Sequence, residues 1–393
     1  MCLGFFGDPM QQIYQTGVGE ISAQPGWVTL KKPENFRSAE KILAVINRVR
    51  ADADGLTQVS GLAPEQRRAG EVYFFVLPTD DNRTKNLEQV RKWLTEHGSS
   101  GNWTGEAVGD GAKILMIMHK MSARRLGFLD LHAAFHLTGS RLGEAFDEGT
   151  AWPLAPFVNV IMPLCSARNG NPSSAIAILR KHGTVLLDES LGMTTVEAAL
   201  STTREAVARL RDIVAAAGPG SIGRALRAAF TSGLIAPDPR LSAYLDPEGD
   251  NSDFLQSDNL PVLDAFMQCD VVELPGYVEY TSNQSPYSTQ HGTKGSEFPR
   301  VVVVIDDDEG KWPMYSYEKL LGLRELSTRD EENRASGIDS VVERTRRLLY
   351  VCVSRAMNAL AVVLFAADVD AAIQALKASG LPGAGEPMTL DNF

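Results

Sequence analysis

The chain has 393 residues, 44% of them apolar, with a formal net charge of −11. That length exceeds an ordinary single domain, so two lobes, or one lobe with a large insertion, are expected, with enough apolar residues for real cores. The acidic balance excludes a globally basic nucleic-acid coat while leaving room for a local basic groove, and no apolar run reaches the roughly 18 residues of a membrane span.

The start, MCLGFFGD, lacks the basic region of a signal peptide. The cysteines (Cys2, Cys165, Cys269, Cys352) are scattered without a CxxC pair, which indicates neither a zinc knuckle nor a disulfide framework. A cytoplasmic protein with reduced thiols is the expectation. In chain order, residues 3–6 read as an apolar strand running into Gly7-Asp8-Pro9, of the kind found inside a parallel sheet. Residues 31–50 carry apolar side chains at helical spacing, with Pro33 and Asn35 near the start. Residues 71–78 and 113–119 read as buried strands, with an amphipathic helix over 86–96 between them. Residues 126–275 turn alanine-rich and helical, exemplified by 195–217, which Gly218-Pro219-Gly220 would stop. Strand character returns at 301–306 and 360–366, bracketing a charged helix over 343–353. The tail, LPGAGEPMTLDNF, has the Gly and Pro content of a mobile end. Strands alternating with helices on either side of a helical stretch predict an α/β fold with an insertion.

Four stretches then stand in a telling order: GDPMQQIY at 7–14, ENFRSAEKI at 34–42, STQHGTKGSEFPRVVVV at 288–304 and ERTRRLLYVCVSRA at 343–356. They resemble the third to sixth motifs of the UvrD/Rep/PcrA group of superfamily-one DNA helicases. A chance match to one is easy, whereas all four in order is not. The resemblance covers roughly residues 1–125 and 275–366 and implies a RecA-like parallel-sheet lobe with a large helical inserted subdomain. The implied divisions are 1–30 (remnant of a first lobe), 31–125 and 276–370 (the second lobe), 126–275 (the insertion) and 371–393 (the C-terminal end).

In such motors, ATP lies between two lobes, and arginines from the far lobe reach its γ-phosphate. By this resemblance Arg37 and Arg355 match the two arginines, Gln11 the γ-phosphate sensor, and Glu297 the glutamate near the nucleotide sugar, beside Gly295. Tyr14, Thr289, His291 and Lys294 match positions that meet single-stranded DNA. A ring stacked on a base is worth about 1–3 kcal/mol whatever the sequence, which suits a translocating motor. After the tyrosine, relatives continue with an aromatic and an Arg-Gly pair, where this chain has Gln15-Thr16-Gly17.

No GxxxxGK[ST] phosphate loop occurs in the sequence; Gly310-Lys311 is followed by Trp312. The acidic strand ends at 184–190 and 301–309 come after the third motif, whereas the magnesium-binding acidic motif of the family comes before it, and 306–309 read as a solvated strand end. ATP and Mg2+ are therefore expected to be held mainly by a lobe outside this sequence, encoded separately or lost. The expected partners are single-stranded or partly duplex DNA and an N-terminal helicase half, with no membrane. The expected activity is that of the C-terminal part of an ATP-dependent 3′–5′ DNA helicase. The rivals are a non-catalytic DNA-binding or regulatory remnant and a truncated fragment. His132 and His136, spaced i, i+4, could bind zinc, but without an HExxH glutamate or a third ligand nearby they read as ordinary helix residues.

Overall fold

The computed structural model describes residues 4–13, 24–105, 111–137, 141–166, 172–184, 193–250, 252–254, 257–282, 284–289, 293, 295–383 and 385–393. They fold as two compact units, residues 1–122 with 284–393, and residues 123–283. None of the described helices is long and apolar enough to cross a membrane.

The first unit is α/β. Its strands are β1 (Glu34–Asn35), β2 (Val59–Ser60), β3 (Glu71–Pro78), β4 (Lys113–Met116), β5 (Tyr287–Thr289), β6 (Phe298–Ile305) and β7 (Ala356–Ala366). The first two form a small parallel pair, and the other five form one parallel sheet in the order β3-β7-β6-β4-β5. In the centre of that sheet, residues 301–305 and 359–366 are buried without a break. A parallel strand covered on both faces has no polar face to show, which is why both read as continuous apolar runs. Helices Glu40–Ala51 and Val341–Val353 pack against each other and against β7. The first of these turns Ile42, Ile46 and Val49 inward. The second starts at a capping box, Ser340 with Glu343, two residues before the predicted start.

The second unit is helical. Met193–Ala216, Ser221–Thr231, Leu260–Gln268 and Leu274–Thr281 are among its helices, and Phe135, Phe146, Phe157, Phe266 and Tyr277 lie in its core. The Gly218-Pro219-Gly220 break is tied down by Asp270, whose carboxylate accepts from Gly218 N at 2.9 Å and Ser221 Oγ at 2.9 Å.

Several expectations need correction. Residues 4–8 form no strand: Phe6 is fully exposed and Phe5, half exposed, stacks on Trp27 at 5.4 Å. This segment is paired with neither of the two sheets, and a strand without a partner does not form. The helix expected from residue 31 begins at Glu40, because Pro33 and the turn around Asn35 hold the preceding segment extended. The strand expected over 113–119 ends at Met116. The tail is docked: Met388 pairs with β3, through Val76 N to Met388 O at 2.8 Å and Met388 N to Phe74 O at 2.9 Å. Phe393 packs on Phe75 and Trp93. Asp306, expected on a solvated strand end, is wholly buried, where it caps residues 307–310 and pairs with Arg83 Nε at 2.8 Å. Burial pushes its carboxyl above the ordinary range, against the pull of Glu309 N and the Arg83 cation.

Candidate functional site

The turn before helix Glu40–Ala51 is built by Asn35. Its side-chain oxygen accepts from Arg37 N at 2.8 Å and Ser38 N at 2.9 Å, while its amide donates to Gln58 at 2.9 Å. Ser38 Oγ then donates to Ala356 O at 3.0 Å, Ala39 N to Met357 O at 2.9 Å, and Arg68 to Arg37 O at 2.6 Å. Every one of these bonds fixes the turn or fastens it at the start of β7, so the direction of Arg37 is set by backbone rather than by chance.

From there, Arg37 Nε donates to Glu297 Oε2 at 2.9 Å and Nη1 to Ser354 O at 3.0 Å. Glu297 precedes β6 and Arg355 precedes β7, and the two strand starts are joined by Phe298 N to Arg355 O at 2.9 Å. Arg355 is 2% exposed. Its donors go to neutral acceptors: Nε to Val351 O at 2.9 Å, Nη1 to Ser296 O at 3.1 Å, Nη2 to Ser354 Oγ at 3.0 Å. Burial, and then the neighbouring Arg37 cation, pull the Arg355 guanidinium below its ordinary pKa. Arg37 and Glu297 are 29% and 52% exposed, so the pair lies open to solvent over a buried second cation. Two cations against one carboxylate leave the cluster receptive to an anion.

Gly295, two residues before Glu297, has φ +90°, and a Cβ there would meet nothing within 4 Å. The demand for glycine is thus purely one of backbone conformation. Thr289 ends β5 with its side chain buried. Tyr14, His291 and Lys294 lie outside the described residues. Gln11 sits in the turn Pro9–Gln11 and donates to Asp8 Oδ2 at 3.2 Å; none of its described bonds reaches Arg37 or Arg355.

A second cluster, which the residue types alone did not announce, holds that opening turn. Tyr350 Oη donates to Asp8 Oδ2 at 2.8 Å and accepts from Arg50 Nη1 at 2.8 Å and Gln58 Nε2 at 3.1 Å. Arg50, 2% exposed, also pairs with Asp8 at 3.3 Å and with Asp54. Burial and the Asp8 charge push the Tyr350 phenol up to about 12. Arg347 Nε donates to Gln12 O at 2.7 Å, Tyr315 Oη to Ile13 O at 3.0 Å, and Met10 and Ile13 are buried. The GDPMQQIY and ERTRRLLYVCVSRA stretches are thereby fastened together through Asp8 and Tyr350, both inside the motifs.

No family model matches the chain. Over 403 aligned residues, 93% of the chain, it is 22% identical to the Gabija protein GajB of Bacillus cereus (strain HuB5-5). The chain spans about half the length of that relative, 54%.

Proposed function

We infer that this chain provides the second, RecA-like lobe and helical insertion of a UvrD-type ATP-dependent DNA helicase, completing a nucleotide site whose phosphate loop lies outside this sequence. The observation that carries this is the convergence of Arg37, Glu297 and Arg355, drawn from three separate motifs, at one end of the parallel sheet. An open α/β sheet binds its own ligand at the carboxyl ends of its strands. Here the cationic cluster lies at the amino ends of β6 and β7, while the carboxyl end of β6 is closed by the Asp306–Arg83 pair. That arrangement suits a lobe that lends side chains to a nucleotide held elsewhere. The distant likeness to GajB, running along nearly the whole chain, supports the same reading.

The residues present fit a phosphate and not a magnesium ion. Arg37 is partly exposed and held by one exposed carboxylate and one carbonyl, so a polyanion can compete for it. A single carboxylate beside two guanidiniums is no Mg2+ site, which wants oxygen ligands in near-octahedral geometry. Bound ATP would supply the phosphoryl group whose negative charge calls for a cation. Arg37 is the group free to meet that charge, by exchanging Glu297 for phosphate oxygens. Glu297 keeps the guanidinium aimed outward in the meantime. Arg355, each of its three nitrogens already hydrogen-bonded, acts as a positioning residue that locks Ser296 and Ser354 in place and adds positive potential from below. The 3′–5′ polarity and the DNA contacts at Tyr14, His291 and Lys294 rest on the motif resemblance alone, whereas Thr289, its side chain buried at the end of β5, offers DNA only its backbone.

The test is ATP hydrolysis by the native assembly containing this chain, with and without single-stranded DNA. DNA-stimulated turnover is expected. Turnover indifferent to DNA, or DNA binding without any turnover in that assembly, would overturn the reading and leave a non-catalytic DNA-binding protein.

A further inference from the structure

The helical unit contains a cluster that the helicase reading does not use. His132 lies in the helix Leu129–Phe135, His136 caps its C-terminal end, and Asp147 is the last residue of the helix Leu142–Asp147. Among the described residues, this is the place where three potential metal-ligating side chains bring one ligand atom each within 4.8 Å of one another. The two imidazoles lie face to face, centroids 3.9 Å apart and planes 10° from parallel. The i, i+4 spacing produces that stacking, since residues four apart share a helix face, and because a ligated metal lies near the plane of each imidazole, binding one cation requires one ring to turn out of the stack. Asp147, eleven residues beyond His136, supplies the third ligand that the sequence reading lacked: its Oδ2 lies 3.1 Å from His136 Nε2.

We propose that His132, His136 and Asp147 bind a borderline divalent transition-metal cation, zinc foremost, which pins the helix Leu129–Phe135 to the helix Leu142–Asp147. Three observations carry this. The first is distance. Zinc bonds of about 2.0–2.2 Å to nitrogen and oxygen in tetrahedral geometry place neighbouring ligand atoms about 3.3 Å apart; the His136–Asp147 contact, a hydrogen-bonded pair here, is close to that, and the three ligand atoms lie within 4.8 Å of one another. The second is orientation. His136 Nδ1 faces His132 O at 2.9 Å, the kind of backbone hydrogen bond that fixes a ligating imidazole, and its Nε2, which faces the Asp147 carboxylate, gives up its proton when the metal takes that place. The third is the surround. Phe146 stands edge-on to both rings, at 6.0 Å and 84° to His132 and 5.9 Å and 88° to His136. Gly143 leaves the space that the His136 ring occupies, since a Cβ there would come within 3.3 Å of Cδ2.

The chemistry of the donors points the same way. Two imidazoles and one carboxylate are a borderline N2O set, unsuited to Ca2+ or Mg2+ and matched to zinc and its neighbours. Access is available: His132 is buried, whereas the His136 and Asp147 side chains are 31% and 22% exposed, so the cation enters from the solvent side and keeps a water there as fourth ligand. Three protein ligands and a water leave the site open, but the helix-to-helix bridge makes its first consequence structural.

The experiment uses the full, untagged chain, stripped with chelator, desalted and titrated with zinc chloride by calorimetry. Metal content is then read by mass spectrometry, and cobalt substitution is read by its visible spectrum. One zinc per chain and a raised melting temperature are expected, and the cobalt-substituted chain should show d–d bands of a four-coordinate N/O site without a sulfur charge-transfer band. His136→Gln and Asp147→Asn, which keep side-chain volume, should each abolish stoichiometric binding and the zinc-induced rise in melting temperature. Circular dichroism on the metal-free variants confirms that they fold. Absence of binding by the wild-type chain, binding unchanged in both folded variants, or a sulfur band from Cys165, Cys269 or Cys352 would overturn the proposal. Because the readout is metal binding, its failure leaves the helicase reading untouched, and the reverse also holds.

Discussion

Arg37 and Arg355 come from two motifs with one expected chemistry, yet the structure gives their removal unequal structural costs, and that difference can be measured. Arg355→Ala removes three hydrogen bonds from a side chain that is 2% exposed, although Val351 O keeps the Ser354 hydroxyl as a donor at 3.0 Å and Ser296 is open to solvent. At about 1 kcal/mol net for each bond, with more for the cavity that the deleted buried side chain leaves, the loss is about 3–5 kcal/mol. Arg37→Ala removes an ion pair whose partners are 29% and 52% exposed and one bond to Ser354 O. Solvent screening holds the ion pair to about 0–1 kcal/mol, so the total is about 1–2 kcal/mol. For a unit of this size each kcal/mol moves the melting temperature by about 2–4 °C. Scanning calorimetry of the full chain should therefore show a fall of about 6–20 °C for Arg355→Ala and about 2–8 °C for Arg37→Ala. Equal shifts, or a wild-type melt for Arg355→Ala, would refute the assignment of Arg355 as a buried positioning residue. It follows that loss of activity in Arg355→Ala alone says little about nucleotide contact, and that Arg37 is the informative position.

Three further outcomes are expected. Tyr350→Phe deletes the hydroxyl shared by Asp8, Arg50 and Gln58, costs about 1–3 kcal/mol and loosens the opening turn, measurable as faster limited proteolysis around residues 4–13. Lys319, 2.6 Å away, and the Ser327 cap hold the Asp330 carboxyl down at about 2. A depressed carboxylate stabilises above its unfolded value of about 3.9, so its contribution fades as pH falls from about 4 towards 2; Asp330→Asn should flatten that part of an acid-unfolding curve. Removing residues 385–393 deletes the Met388 bonds to β3 and uncovers Phe75 and Trp93; a melting temperature unchanged by that truncation would contradict the docked tail.

How much of this was legible depends on which interaction each element rests on. Strands β3, β6 and β7 were readable because residues buried on two faces must be apolar throughout. By contrast β1, β2 and β5 are only two or three residues long, too short for any periodicity, and their partners lie far away in sequence. The start of helix Val341–Val353 had a local signal, Ser340 three before Glu343, whereas the docked tail had none: Gly and Pro content describes the backbone freedom of residues 380–387 and says nothing of Met388 and Phe393 beyond them. The pairing of Arg37 with Glu297 spans 260 residues, so no local pattern encodes it. The order of the motifs suggested a shared site, and only the fold showed Arg37 partly exposed and Arg355 sealed beneath it. Asp147 escaped for the same reason: a metal ligand on the next helix leaves no spacing rule to read.

The central claim is that Arg37 meets the transferring phosphate. The most direct test is the maximal rate of single-strand-stimulated ATP hydrolysis by the native assembly, wild type against Arg37→Ala and Arg37→Lys, with DNA binding measured alongside. The account predicts a fall in kcat of about a thousandfold or more for Arg37→Ala, partial recovery by Arg37→Lys, and unchanged DNA affinity. An unaltered kcat in a folded Arg37→Ala assembly would contradict it.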